Sequence, residues 1–361
     1  IAILEDTGYM ARAAFLMVRL MRGVGLHGKA FMPLLSSFAC AIPGIMATRT
    51  IENPKDRLAT IMIAPFMSCS ARLPVYTLMI AAFFSGRKLF GFLSVGALMI
   101  MAMYLLGIMV AIGVAWVLKR TILKAPTPPL VLELPPYRVP SFLTILQMML
   151  SRAWLFLKRA GTVIMAISII LWALATFPRS PQANSVSNDS VVAQSTKAGE
   201  EAETDAGVKT APGLAGQSSE QLSRSYAGRA GHLIEPVIRP LGFDWKMGVA
   251  LISSFAARET LVSTLSVIYN VGKGGDSSGD SLVNAVREAK REDGSPAWTP
   301  LVALSMMVFF VLAMQCMSTV AIVRRETNSW RWPLFMIAYM TILAYIASFI
   351  TYQGGRLLGF S

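Results

Sequence analysis

The sequence predicts an all-α polytopic membrane protein, built on an inverted-topology repeat with re-entrant or broken gate helices. Three observations carry that expectation. Apolar residues make up 54% of the 361 and charged ones only 15%, and mean hydropathy is +0.55, outside the range of an ordinary soluble domain. Apolar runs occupy 58–84, 89–118, 160–177, 247–270, 300–323 and 333–353, most of them long enough to cross ~30 Å of hydrocarbon. Two apolar segments also carry a cysteine beside helix breakers, Cys40 near Pro43 and Gly44 and Cys69 between Pro65 and Pro74. Broken helices with a soft polarisable group at the break are a way to place a binding site at bilayer depth.

The net charge of +13 does not point to nucleic acid. Lys and Arg cluster in short loops beside the apolar runs, the positive-inside pattern, and no basic stripe is interleaved with aromatics. Three cysteines, all in apolar runs, argue against a disulfide framework. The chain opens at Ile1 with neither Met nor a signal-peptide pattern and reads as a part of something longer. No phosphate-binding G-x-x-x-x-G-K-[ST] occurs, and Gly25-Leu26-His27-Gly28-Lys29 does not qualify. No nucleophile–base pair or His-rich metal spacing suggests an enzyme.

Residues 1–84 form the first gate repeat. Arg12, Arg19, Arg22 and Lys29 place its start on the cytoplasmic side, and Glu5 and Asp6 sit where they would cap the following helix. Segment 31–47 would reach only about 25 Å as a helix. It has basic residues on both flanks and is interrupted at Pro43-Gly44, so a re-entrant hairpin is expected, followed by an outward span at 58–84. Residues 85–177 supply two connecting spans, 89–118 inward and 160–177 outward. Between them, 119–159 carries Lys119, Arg120, Lys124, Arg138, Arg152, Lys158 and Arg159 against only Glu133, a cytoplasmic loop whose Pro-rich part should lie extended along the membrane. Residues 178–224 are polar, Ser/Ala/Gly-rich and locally acidic, a composition expected to leave an outer loop disordered.

The second gate repeat, 225–332, echoes the first. Sliding 8–51 onto 225–268 without a gap pairs Tyr9 with Tyr226, Arg12 with Arg229, Gly25 with Gly242, Lys29 with Lys246, and the tetrapeptide SSFA at 36–39 with SSFA at 253–256. Cys40 falls on Ala257. Beyond an insertion at 271–299, Met67-Ser68-Cys69 aligns with Met314-Gln315-Cys316. Treating 247–270 as a second re-entrant hairpin keeps 271–299 outside and brings Arg324, Arg325 and Arg331 inside after the span 300–323. The two repeats then enter from opposite sides, the inverted arrangement of many secondary transporters. A C-terminal span, 333–353, follows.

The stretches LEDTGYMARAAF, RLMRGVGLHGKAF, FACAIPGIMATRT, APFMSCSARLP, ELPPYRVP and AIVRRETNSW together resemble the membrane domain of the bacterial ferrous iron transport protein B (FeoB) family. The resemblance covers nearly the whole chain apart from 178–224 and 271–299. It implies passage of Fe2+ as transported substrate across the bacterial inner membrane. It also implies coupling to a cytoplasmic GTPase domain that would hold GTP and Mg2+ and is absent here, with small accessory proteins and a homo-oligomer as further partners beside membrane lipid. The cysteines of the family's pore-lining proposal map onto Cys40, Cys69 and Cys316. The family's usual Asp is replaced by Val18, and its Gly-Cys-Asn by Ala39-Cys40-Ala41.

Each candidate side chain also has a plainer role. A Cys in an apolar run is usually a small inert hydrophobe, but three at helix breaks suit soft ligation of a d-block cation. Met67, Met314 and Ser68 are pathway candidates: the plainer role of the two methionines, among 22 Met, is packing, and Ser68 and Ser70, which could offer oxygen, are expected rather to bond back to helix carbonyls. Glu259 within a re-entrant segment is a functional acid by default, or else the partner of Arg258 or Arg72. His27 and His232 stand at the membrane boundary without ligand spacing. The alternative reading, a nucleoside or other small-solute transporter with related gates, would want Asn, Gln and Glu pairs, and the hairpins offer only Glu259 and Gln315.

Overall fold

The computed structural model describes residues 9–23, 25–85, 93–124, 141–157, 226–255, 258–269, 279–291, 294–314 and 316–359, with a few isolated positions besides. The loop 178–224, the Pro-rich part of 119–159 and nearly all of the span expected at 160–177 lie outside them, as do Glu5 and Asp6.

The described chain is helical apart from a two-residue ribbon, β1 (Lys88–Leu89) with β2 (Leu93–Ser94). In order, the helices are α1 (Tyr9–Gly23), α2 (Phe31–Ser37), α3 (Ala41–Ala47), α4 (Pro54–Ile63), α5 (Leu73–Phe83), α6 (Val95–Arg120) and α7 (Phe142–Phe156). There follow α8 (Tyr226–Ile238), α9 (Trp245–Ser254), α10 (Thr260–Ile268), α11 (Gly279–Glu288), α12 (Pro300–Leu312), α13 (Met317–Thr327) and α14 (Arg331–Leu357).

Four segments are long and apolar enough to cross a membrane: Pro54–Phe83, Val95–Arg120, Pro300–Thr327 and Arg331–Leu357. They divide by burial. The first and third, each broken in the middle, have 67% and 76% of their most apolar window inside the protein, against 17% and 22% for the unbroken α6 and α14. Only unbroken helices can face lipid, because hydrocarbon satisfies no freed backbone group. Met109 and Trp116 of α6 and Ile346 and Ile350 of α14 are accordingly exposed.

The repeat is visible atom by atom. Gly25 and Gly242, equivalent in the alignment, both take left-handed backbone, φ +80° and +87°. His27 and Asp244, also equivalent, are N-caps whose side chains accept from Lys29 N and Met247 N. At the ends of α2 and α9, Phe38 and Phe255 donate to Leu35 and Ile252 through their backbone N–H, with Ser37 and Ser254 buried beside them. The shared Ser-Ser-Phe residues thus build the same helix end twice.

The two hairpins enter from opposite faces. The base of the first meets the start of α4 and the end of α13: Glu326, its side chain 2% exposed, binds Arg49 at 2.6 Å and Arg57 at 2.5 Å, and Asp56 pairs with Lys119 at the end of α6. The base of the second lies where α5 ends. Arg291 donates to the Gly242 carbonyl, and Arg287 on α11 donates to Ala81 and Ala82. The insertion 271–299 is therefore not a plain loop but carries a helix docked on α5. Packing crosses between the halves in matching fashion, α3 against α13 and α10 against α5.

Candidate permeation site

The first hairpin turns earlier than the breakers suggested. Its legs separate at Phe38–Cys40, and Pro43 and Gly44 lie inside α3. Pro43 is the third residue of that helix, where an N–H has no intrahelical acceptor, so proline costs nothing there. Gly44 serves packing instead. A Cβ at that position would sit 2.0 Å from Ser37 Oγ and 2.8 Å from the Pro33 carbonyl, so its absence lets the two legs cross in contact.

The broken spans follow one plan. Helix α4 ends in a 3-10 turn, Ala64–Phe66, and the chain runs extended before a second 3-10 turn, Ser70–Arg72, leads into α5. Helix α12 ends at Leu312, Ala313 is extended, and α13 resumes at Met317. In each repeat the residue after the cysteine ties the break to the tip of the hairpin. Ser70 Oγ donates to the Ala39 carbonyl at 3.2 Å, and Met317 N to the Phe255 carbonyl at 2.9 Å. Helix α6 closes over the first break at Gly107, where a Cβ would stand 3.0 Å from the Phe66 carbonyl.

This plan gives the three cysteines one structural position. Cys40, Cys69 and Cys316 each immediately precede a helical segment, α3, the turn into α5, and α13. All three have extended backbone, none uses its thiol to cap the helix, and all are free and half-buried. Cys69 and Cys316 both lie within electrostatic reach of Cys40. They share a neighbourhood without closing into a shell: among the described residues no group of three or more His, Cys, Asp or Glu side chains is placed to hold a metal ion.

Of the other candidates, Met67 and Met314 are buried in the apolar core. The Ser68 hydroxyl accepts from Arg72 Nη1 at 3.3 Å, and Ser70 bonds across to the hairpin, so neither follows the expected bond back to its own helix. Glu259 is exposed at the start of α10, which it does not cap, and it pairs with neither Arg258 nor Arg72. His27 caps a turn, while His232 faces Glu235 and stacks on Trp245.

The arginines themselves are what a sequence reading passes over. Arg72 is fully buried and donates to the carbonyls of Pro65 (2.9 Å) and Phe66 (3.2 Å). Arg258, 5% exposed, reaches the Ala313 carbonyl at 3.3 Å. Each therefore answers the freed C-terminal carbonyls of a broken helix, one in each repeat. In sequence, an arginine inside an apolar segment with no acid at helical spacing was the available signal.

Comparison with known proteins agrees with this architecture. The family model described as Gate: Nucleoside recognition matches residues 1–83 and 157–330. The model described as Ferrous iron transport protein B C terminus matches 100–152. The chain is 46% identical over 353 residues to a protein named Fe(2+) transporter FeoB from Leptospira interrogans, covering 98% of this chain and 47% of the relative. It is 37% identical over 358 residues to the protein of the same name from Staphylococcus aureus, 99% of this chain and 45% of that one. A Fe(2+) transport protein A/Fe(2+) transporter FeoB fusion protein from Porphyromonas gingivalis is 41% identical over 363 residues, 99% and 41% respectively. The chain thus spans about half the length of the curated relatives it matches. No solved structure matches it. By these matches and the broken paired helices they fall on, the chain belongs to the ferrous iron transport protein B family and carries that family's Gate region.

Proposed function

We propose that this chain is the permease portion of a ferrous iron uptake transporter, with Fe2+ passing between the two repeats at the three cysteines. The observation that carries the reading is the common position of Cys40, Cys69 and Cys316, each at the start of a returning half-helix. Sulfur suits d-block cations, and an open, incomplete shell lets an ion leave as well as enter. Loading draws the breaks together around the ion, with water or the exposed Glu259 completing its coordination. By affinity alone a three-sulfur site favours Zn2+ or Cu+ over Fe2+, so the assignment of iron rests on the relatives' names.

The cluster Lys119, Arg120 and Lys124 and the base of the first hairpin lie at one end of the protein, the cytoplasmic end by charge. In a bacterium this orients the domain in the inner membrane, with Fe2+ entering from the side of α11. A GTPase domain holding GTP and Mg2+ would act on the cytoplasmic end, and a small accessory protein would join it, a reading supported by the relative in Porphyromonas gingivalis that is named as a fusion with Fe(2+) transport protein A. The chain itself acts as a transporter and not as an enzyme. The test is Fe2+ uptake by cells expressing the full-length protein with Cys40, Cys69 and Cys316 all changed to Ser, which preserves volume and removes softness. Uptake should fall at least tenfold at equal expression; normal uptake would make the cysteines buried hydrophobes only.

A further inference from the structure

In broken-helix transporters the carbonyls released at a break are natural ligands for a cation, since they stand at the negative ends of half-helices. Here those oxygens are already taken. Arg72 holds the Pro65 and Phe66 carbonyls and the Ser68 hydroxyl, and Arg258 holds the Ala313 carbonyl. Both guanidinium groups are buried beyond nine-tenths, and among the described residues no carboxylate pairs with either. Among the described residues, Arg72 Nε and Arg258 Nη1 are buried and find no hydrogen-bond partner. The two charges feel each other, and both are felt at Cys69.

A buried charge is normally paired, and unpaired intramembrane charge is costly. A purely structural cap for a helix end could be supplied by water, a hydroxyl or a tightened turn. The unpaired arginines therefore need a reason beyond capping. We propose that Arg72 and Arg258 act as tethered substitutes for a cation, occupying the oxygen ligands of both breaks so that the site presents sulfur to a passing ion. Hard cations such as Ca2+ and Mg2+, which need a shell of several oxygens, then find no more than Glu259 and water, whereas a transition-metal ion still finds the thiols. The selectivity that three sulfurs give among d-block metals is left untouched; what the arginines add is rejection of the abundant hard ions.

This inference rests on the permease reading, but its test does not require transport. The full-length protein in detergent is titrated with Ca2+ by calorimetry, as wild type and as Arg72→Met and Arg258→Met, which keep side-chain length and remove every donor. Ca2+ affinity should rise at least tenfold in each Met variant, and Arg258→Lys should fall between. Folded Met variants that bind Ca2+ no better than wild type overturn the proposal, even if they melt at lower temperature. Should Arg72→Met fail to fold, Arg258→Met decides, since it gives up only one hydrogen bond; should both fail, unchanged Ca2+ affinity in Arg72→Lys and Arg258→Lys overturns it. Fe2+ uptake by the wild type in proteoliposomes is measured separately, and its absence would remove the permease reading while leaving the Ca2+ result to stand or fall by itself.

Discussion

In the first repeat the break of the spanning helix is closed from within: Arg72, three residues after Cys69, folds back on two carbonyls and a hydroxyl of its own break. In the second repeat the break is closed from a neighbour, by Arg258 of the adjacent hairpin, through one carbonyl. The hairpins differ too. The first carries Cys40 at its tip and Gly44 where its legs touch; the second has Ala257 and Leu261 at the matching positions. One backbone plan thus holds two different fillings, and the candidate site between them is asymmetric, with two sulfurs from the first repeat and one from the second.

That asymmetry is sharpest at the cysteines, where the largest effect is expected. Cys69 and Cys316 occupy equivalent breaks, so Cys69→Ser and Cys316→Ser should each lower Fe2+ uptake about as much as the triple variant. Cys40 has no counterpart and lacks the Asn that the family usually carries beside it, so Cys40→Ser should cost clearly less. Uptake assays at matched expression rank the three. A Cys40 variant as damaged as the other two would make the hairpin tip an equal partner and undo the two-break description.

The contrast between the hairpins can be broken at Gly44. An added methyl there meets Ser37 Oγ at 2.0 Å and the backbone carbonyl of Pro33 at 2.8 Å, and the carbonyl cannot swing aside. Gly44→Ala should destabilise the protein by about 1–3 kcal/mol, the usual cost of overpacking, read as a lower melting temperature in detergent. Because the clash splays the first hairpin and moves Cys40 with it, uptake per folded molecule should fall as well. A variant that melts like wild type would show that the legs have more room than these contacts allow.

Much of this architecture is legible in the residues, and the exceptions share a cause. Apolar runs mark the spans because lipid admits only satisfied helices, and SSFA with Tyr, Gly and Lys in register marks the repeat because the same helix end is built twice. The hairpin turn is misplaced by a reading that takes Pro43 as the interruption, since proline breaks a helix interior but suits its first turn. The helix in 279–288 is hidden in a polar insertion whose docking on α5 is a matter of tertiary contacts. Arg72 and Arg258 are visible as letters, but a pattern of charges leads one to seek carboxylates, with Glu259 nearest to hand. Their partners are main-chain carbonyls, which no sequence motif names.

The smallest effect separates the two turns that open the hairpins. Gly25 and Gly242 are equivalent in sequence and nearly identical in backbone, with φ of +80° and +87°. An alanine at either must adopt left-handed backbone at a cost of about 1–2 kcal/mol, partly offset by roughly 0.4–1 kcal/mol from a stiffer unfolded chain. At Gly25 nothing more is added, because the new methyl would meet only the Lys119 side chain at ordinary contact distances of 3.8–3.9 Å. At Gly242 it would meet the Tyr352 ring of α14 at 2.4 Å, and the ring or the turn must move. Gly25→Ala should therefore lower stability by roughly 0–1.6 kcal/mol, and Gly242→Ala by about 1–3 kcal/mol more. Melting of the two variants side by side in detergent gives the difference directly. Equal shifts would mean that backbone conformation alone sets the cost and that α14 does not press on the second repeat; a larger shift at Gly25 would contradict the packing of both turns.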